Sequence, residues 1–143
     1  MANDPTDELQ IRNLIARLAQ VADTATEADL DTAYVPLFTA DAVWEALPGS
    51  LALGQELVRN EGISAIREAA IARRRNGTSG PDAGMMHMVT SSVITVEGDT
   101  ATGDSCFILV RGDLSIGVAA RYHDSFRRDG GQWRVARRTV GRR

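Results

Sequence analysis

After residue 86 the sequence offers only strands. Segments 87–97, 101–111, 115–128 and 132–140 alternate in polarity, and little more than Gly98-Asp99, Gly112-Asp113 and Asp129-Gly130-Gly131 separates them. Turns of that length and chemistry join antiparallel neighbours, so the second half reads as a meander of hairpins. The most regular run is 116–127. Its even positions carry Ile116, Val118, Ala120, Tyr122, Asp124 and Phe126, and its odd positions Gly117, Ala119, Arg121, His123, Ser125 and Arg127. One face is therefore buried and the other wet. The buried face nonetheless holds a phenol and a carboxylate. An ionised carboxylate is costly to bury alone, so Asp124 is expected either to be paired or to line a cavity that admits water or ligand. His123 points to the wet side.

The first half carries helices instead. Asp4 can cap, Pro5 suits a first helical position, and Asp7 lies near the positive end of the helix dipole. Leu14, Leu18 and Ala22, flanked by Ile11 and Ile15, give a wide apolar stripe through about residue 22. Segment 29–38 reads as a second, shorter helix, with Pro36 as a kink or stop near its end. A third begins at Gly62 and runs through Ile71 into Arg73-Arg74-Arg75-Asn76-Gly77, whose arginines suit the negative helix end and whose Asn-Gly suits its stop. Segment 42–45 is a short strand stopped by Pro48-Gly49. Leu51, Leu53 and Leu57 fit a strand or a loop equally well, and 78–84 is a Gly/Ser/Pro loop. Helices first and strands afterwards imply an α+β fold, with three helices in the N-terminal half packed on one face of a curved, mostly antiparallel sheet.

A chain of 143 residues with 43% hydrophobic content suits one domain, 1–143, with its own core. A net charge of −3 gives no reason to expect nucleic acid. The arginine clusters at 73–75, 127–128 and 137–143 are scattered and read as solvated faces. Cys106 is the single cysteine, so no internal disulfide and no Cys/His metal spacing exist. The acidic start lacks the apolar core of a signal peptide, and no apolar stretch approaches the ~18 residues of a membrane span. The expectation is a cytoplasmic protein.

Several segments taken in order carry a family resemblance. They are Leu14-Ile15-Ala16-Arg17 through Asp23, Leu37-Phe38-Thr39-Ala40-Asp41-Ala42-Val43-Trp44, Gly62 through Arg67, His87-Met88-Val89-Thr90-Ser91, Arg121-Tyr122-His123-Asp124, and Trp133-Arg134-Val135-Ala136-Arg137. Over about residues 7–140 the chain resembles the SnoaL-like branch of the nuclear-transport-factor-2-like superfamily. The resemblance implies a cone: a strongly bent sheet around a pocket, closed on one side by the N-terminal helix. It also implies a carboxylate at the end of that helix beside a histidine that opens the first long strand, here Asp23 and His87. In dehydratase-like and dehydrochlorinase-like relatives the carboxylate orients the imidazole, which removes a substrate proton. Imidazole chemistry supports this, since an unperturbed pKa near ~6.5 makes histidine a base at neutral pH. One position departs from the family. Its usual tyrosine, five residues before Asp23, is Leu18 here. Tyr122, on an inward face, is the expected replacement donor to a developing oxyanion.

The expected catalytic set is therefore Asp23, His87 and Tyr122. Leu18, Trp44, Val89, Cys106, Asp124 and Arg137 are expected around the substrate. Arg137 shares strand parity with Trp133 and Val135, and an Asp124–Arg137 pair is read either as structural or as a binder of an acidic or carbonyl group. Cys106 is read as a small hydrophobe rather than a nucleophile, and Met85, Met86 and Met88 as core or subunit interface. The functional expectation is a lyase or isomerase, with no cofactor and no metal, acting on a small, mostly apolar, oxygenated molecule. The alternatives are a non-catalytic binder with the same pocket and a dimeric assembly module. The cue for a homodimer is an outer sheet face of Met88, Thr90, Ser92, Ile94 and Val96 with Phe107 and Leu109.

Overall fold

A computed structural model describes residues 4–51 and 56–142. Helix α1 (Pro5–Thr24) starts where the capping chemistry places it, with the Asp4 side chain accepting the Thr6 N–H at 2.9 Å. Its stripe of Ile11, Leu14, Ile15, Leu18 and Ala19 is buried. At its start Asp7 accepts from Arg128 at 2.8 Å and from the Trp133 indole at 3.1 Å, which pins the helix to the sheet.

The second expected helix is shorter than 29–38. A single turn, α2 (Leu30–Ala33), is flanked by 3-10 turns at Glu27–Asp29 and Val35–Leu37. Pro36 has no N–H to continue an α-helix, and Phe38 already begins strand β1 (Phe38–Ala46), which outruns the expected 42–45. Strand β2 (Val58–Glu61) takes only the end of the ambiguous stretch, in which Leu53 lies outside the described residues. Helix α3 (Ile63–Arg75) precedes β3 (Met86–Glu97), β4 (Thr100–Val110), β5 (Ile116–Asp129) and β6 (Gln132–Gly141). The sheet order is β2-β1-β6-β5-β4-β3. Only the β1–β6 pairing is parallel among the described strands. The result is an α+β cone: three helices on a curved, six-stranded, mostly antiparallel sheet.

Bulges bend the long strands and overturn two expectations of parity. In β3 the register shifts between Thr90 and Val93, at Ser91, whose φ is +54°. Ser92 therefore turns inward and meets the Ser105 hydroxyl at 2.8 Å, while Val93 turns out. Ile94 and Val96 pack on the core, and Phe107 is buried on the inward face of β4. The apolar outer face is thus not the expected one; it keeps Met86, Met88 and Val93. In β6 the register shifts at Ala136, since Phe126 pairs with Val135 but Ser125 with Arg137. Val135 and Arg138 consequently share the inward face and Arg137 leaves it.

Two hydrophobic clusters result. The larger joins α1, α2 and α3 to the sheet through Ile11, Leu30, Ile66, Phe126 and Val135. The smaller gathers Ala46, Phe107, Ala120, Tyr122 and Val140. Members of both line one cavity. Among the described residues no helix is long and apolar enough to cross a membrane.

Candidate active site

The site begins where α1 ends. The last carbonyls of a helix lack partners within it, and α1 has no basic residue in its own last turn. Arg74 of α3 fills the gap, donating to the carbonyls of Ala25 at 2.8 Å, Val21 at 3.3 Å and Ala22 at 3.4 Å. Gly80 adds its N–H to the Ala22 carbonyl at 3.1 Å. Its φ is +89° and a Cβ there would lie 2.9 Å from Arg74 Cγ, so the crossing requires glycine. Burial pulls the Arg74 guanidinium below its usual range, and the neighbouring Arg73 charge adds to the effect.

Asp23 is thereby held against the start of β3. Its Oδ2 accepts the His87 backbone N–H at 2.8 Å and its Oδ1 lies 2.6 Å from His87 Nδ1. Both side chains are mostly buried. An ionised carboxylate only accepts, so in the neutral ring Nδ1 carries the proton and Nε2 the lone pair. An imidazole fixed this way is a base with a defined tautomer, and its partner stabilises the cation formed on protonation.

From His87 a row of side chains crosses three neighbouring strands. Phe107 stacks on His87 with centroids 6.3 Å apart, and Tyr122 stacks on Phe107 at 4.1 Å with the rings 3° from parallel. The Arg138 guanidinium caps the far side of Tyr122, its Cζ 3.8 Å from the ring centroid. Arg138 is itself held by Asp124 through Nε–Oδ1 and Nη2–Oδ2 bonds, both 2.8 Å, in a bidentate pair that is almost wholly buried. Burial draws the Arg138 guanidinium down, yet the Asp124 charge and hydrogen bonds outweigh this and leave it above its ordinary value. Burial pushes the Tyr122 phenol up to about 12, with Arg138 opposing, so the hydroxyl keeps its proton as a donor.

The cavity has a volume of about 340 Å³, at the small end of the range for small-molecule pockets. Leu18, Trp44, His87 and Tyr122 line it. Asp23 stands behind His87. Val89 faces inward but packs into both hydrophobic clusters instead of the cavity wall. Three expectations are corrected. Asp124 pairs with Arg138, not Arg137, and reaches the cavity only through it. Arg137, displaced by the Ala136 bulge, bonds Glu45 at 2.6 Å on the other face, where Thr139 donates to the same oxygen at 2.9 Å. Cys106 lies on the outer side of β4 with Arg121 Nη1 at 3.4 Å from its sulfur, because the inward positions of β4 are Ser105 and Phe107. His123 also faces outward and pairs with Asp104 at 2.6 Å.

The sequence reading missed Tyr34, Phe107, Arg73, Arg74 and Arg138 among the cavity residues. Alternation on β4 opposite Ala120 was a usable signal for Phe107. Neither Tyr34 nor Arg138 had one, because a broken helix and a bulge place them. No group of three or more His, Cys, Asp or Glu among the described residues is arranged to hold a metal ion.

The comparisons with known proteins agree with this fold. A SnoaL-like domain model matches residues 4–139. A cystatin-like-fold protein of unknown function from Nostoc punctiforme is 22% identical with a TM-score of 0.77, over 98% of this chain and 93% of that one. A Novosphingobium aromaticivorans protein provisionally assigned as an aromatic ring hydroxylase is 27% identical with a TM-score of 0.71, covering 98% and 91%. One from the same organism, provisionally assigned as a scytalone dehydratase, is 16% identical with a TM-score of 0.70, covering 94% and 83%. No curated protein matches significantly.

Proposed function

The chain belongs to the SnoaL-like family, and from that premise we propose that it is a lyase or isomerase whose base is His87. The observation that carries the reading is the double grip of Asp23 on His87 at the wall of an apolar cavity. The imidazole Nε2 takes a proton from a carbon next to a carbonyl, Asp23 stabilises the imidazolium, and electrons move toward the carbonyl oxygen. Tyr122 supplies the phenolic donor that meets the developing oxyanion, in place of the side chain that Leu18 lacks. Arg138, paired with Asp124, lies over the Tyr122 ring and holds it against Phe107. The proton then returns at a second carbon in an isomerisation, or leaves with a β-hydroxyl as water in a dehydration. The substrate is a small, mostly apolar, oxygenated molecule.

The test is proton exchange. Enolisable aryl ketones and β-hydroxy ketones are incubated with the protein in D2O, and loss of the α-proton signal is followed by NMR. Exchange that disappears in His87→Gln, with the fold intact by circular dichroism, supports the mechanism. Binding of the same compounds without exchange favours the second reading, a non-catalytic binder, for which Leu18 in place of a polar side chain is the favouring observation.

Met86, Met88 and Val93 stand exposed together on the outer sheet face, and they support a homodimer through that face. A monomeric mass by light scattering at micromolar concentration would discard it.

A further inference from the structure

We infer that the substrate's apolar body carries one carboxylate and that Arg73, at the cavity wall, is the side chain that binds it. The inference rests on the proposed function for the cavity's use, and adds to it a class of substrate. The cavity is lined by three guanidinium groups and by no carboxylate among the described residues. Two of the three are committed. Arg138 is neutralised by its bidentate bond to Asp124, and Arg74 spends its N–H groups on backbone carbonyls of Val21, Ala22, Ala25 and Ala70. Arg73 is different. Its guanidinium lies over the Trp44 ring, 5.6 Å from the centroid, and has no hydrogen bond or ion pair among the described residues.

A guanidinium held only by a cation–π contact has its N–H groups uncommitted and able to donate bidentately to a carboxylate. The neighbouring backbone keeps this position fixed. Thr78 and Ser79 donate their N–H groups to the Arg73 carbonyl at 2.9 and 3.2 Å, which folds the loop after α3 back over the helix end and sets Ser79 in the same wall. Leu18, Ala19, Leu51, Leu109 and Val118 give the same cavity an apolar lining. One uncommitted guanidinium in such surroundings matches a monoanion with a hydrophobic body.

The experiment compares 2-naphthoate with 2-naphthamide, the same ring system with and without the charge, by calorimetric titration of the wild type, Arg73→Gln and His87→Gln. The wild type is expected to prefer the acid by about ten- to a hundred-fold, the scale of a charge-assisted hydrogen bond. Arg73→Gln removes that preference and leaves the amide affinity in place. In the wild type the preference also shrinks as salt is raised, a check that needs no variant. His87→Gln keeps the preference, which separates the two ideas: absence of exchange chemistry in the wild type with an intact acid preference sinks the enzyme reading alone. Equal affinity for acid and amide in the wild type overturns the inference. So does a preference that survives Arg73→Gln, or failure of both compounds to bind.

Discussion

Asp23 contacts His87 through two different atoms of the same residue, the backbone N–H at 2.8 Å and the ring Nδ1 at 2.6 Å. The first contact fixes where β3 starts relative to α1, and the second fixes which ring nitrogen holds the proton. Asp23→Asn separates these roles. Its carbonyl oxygen still accepts one of the two hydrogen bonds, but the amide NH2 faces the other donor. The expected outcome is a folded protein whose His87 ring becomes a mixture of tautomers. Nitrogen-15 spectra of the imidazole read this directly, with Nδ1 protonated in the wild type. Proton-exchange activity should fall by a factor on the order of 10² to 10⁴.

The Asp124–Arg138 pair calls for a different experiment. Removing one partner from a buried pair leaves an uncompensated charge or donor, and costs about 3–5 kcal/mol, whereas replacing both with apolar groups is often neutral. Asp124→Asn and Arg138→Met are each expected to lower stability to urea substantially. The Asp124→Leu/Arg138→Met double variant should recover much of the loss. A double variant as unstable as the sum of its parts would mean that Arg138 acts mainly through its contact with the Tyr122 ring.

How much of this was legible depended on whether a feature was local. Asp4 and Pro5 act within one turn, and α1 begins where they place it. Alternation in β5 has no bulge between Val118 and Phe126, so Tyr122 and Asp124 lie inside as their parity requires. The same parity rule failed at Ser91 and Ala136, where an extra residue turns the following side chains to the opposite face. That one shift exchanged Arg137 for Arg138 as the partner of Asp124. Asp23 and His87, 64 residues apart, came from the family resemblance, since neither residue's surroundings in sequence point to the other. The arginine that secures the end of α1 comes from α3, and no pattern within α1 foretells it.

That arginine gives a third prediction. Arg74 serves carbonyls at the end of α1 rather than any acidic partner among the described residues, so its loss strands buried acceptors. Arg74→Met keeps the aliphatic stem and removes the donors. The penalty for each buried group left unsatisfied is about 1–3 kcal/mol. Thermal melting should therefore drop clearly, and the drop should come with loss of the defined His87 tautomer, because Asp23 lies in the turn that Arg74 secures. A stability loss with the tautomer signal unchanged would show that Asp23 is held by α1 alone.

Tyr122 sets the alkaline limit. Its phenol is pushed up to about 12 in the folded state, chiefly by burial, from an ordinary value of 10.0. Between these values the folded protein retains a proton that the unfolded chain has released. The unfolded state then binds fewer protons, so the free energy of unfolding falls as pH rises. This contribution is fully present below pH 10 and is lost progressively from there toward 12. Tyr122→Phe has no proton to lose and should show a flatter stability curve over that window, measured by urea unfolding at stepped pH. At neutral pH the same variant keeps the stack on Phe107 but loses the hydroxyl donor. Its proton-exchange rate should therefore fall while 2-naphthamide still binds. Unchanged exchange in Tyr122→Phe would remove the phenol from the mechanism and leave His87 and Asp23 as its only supports.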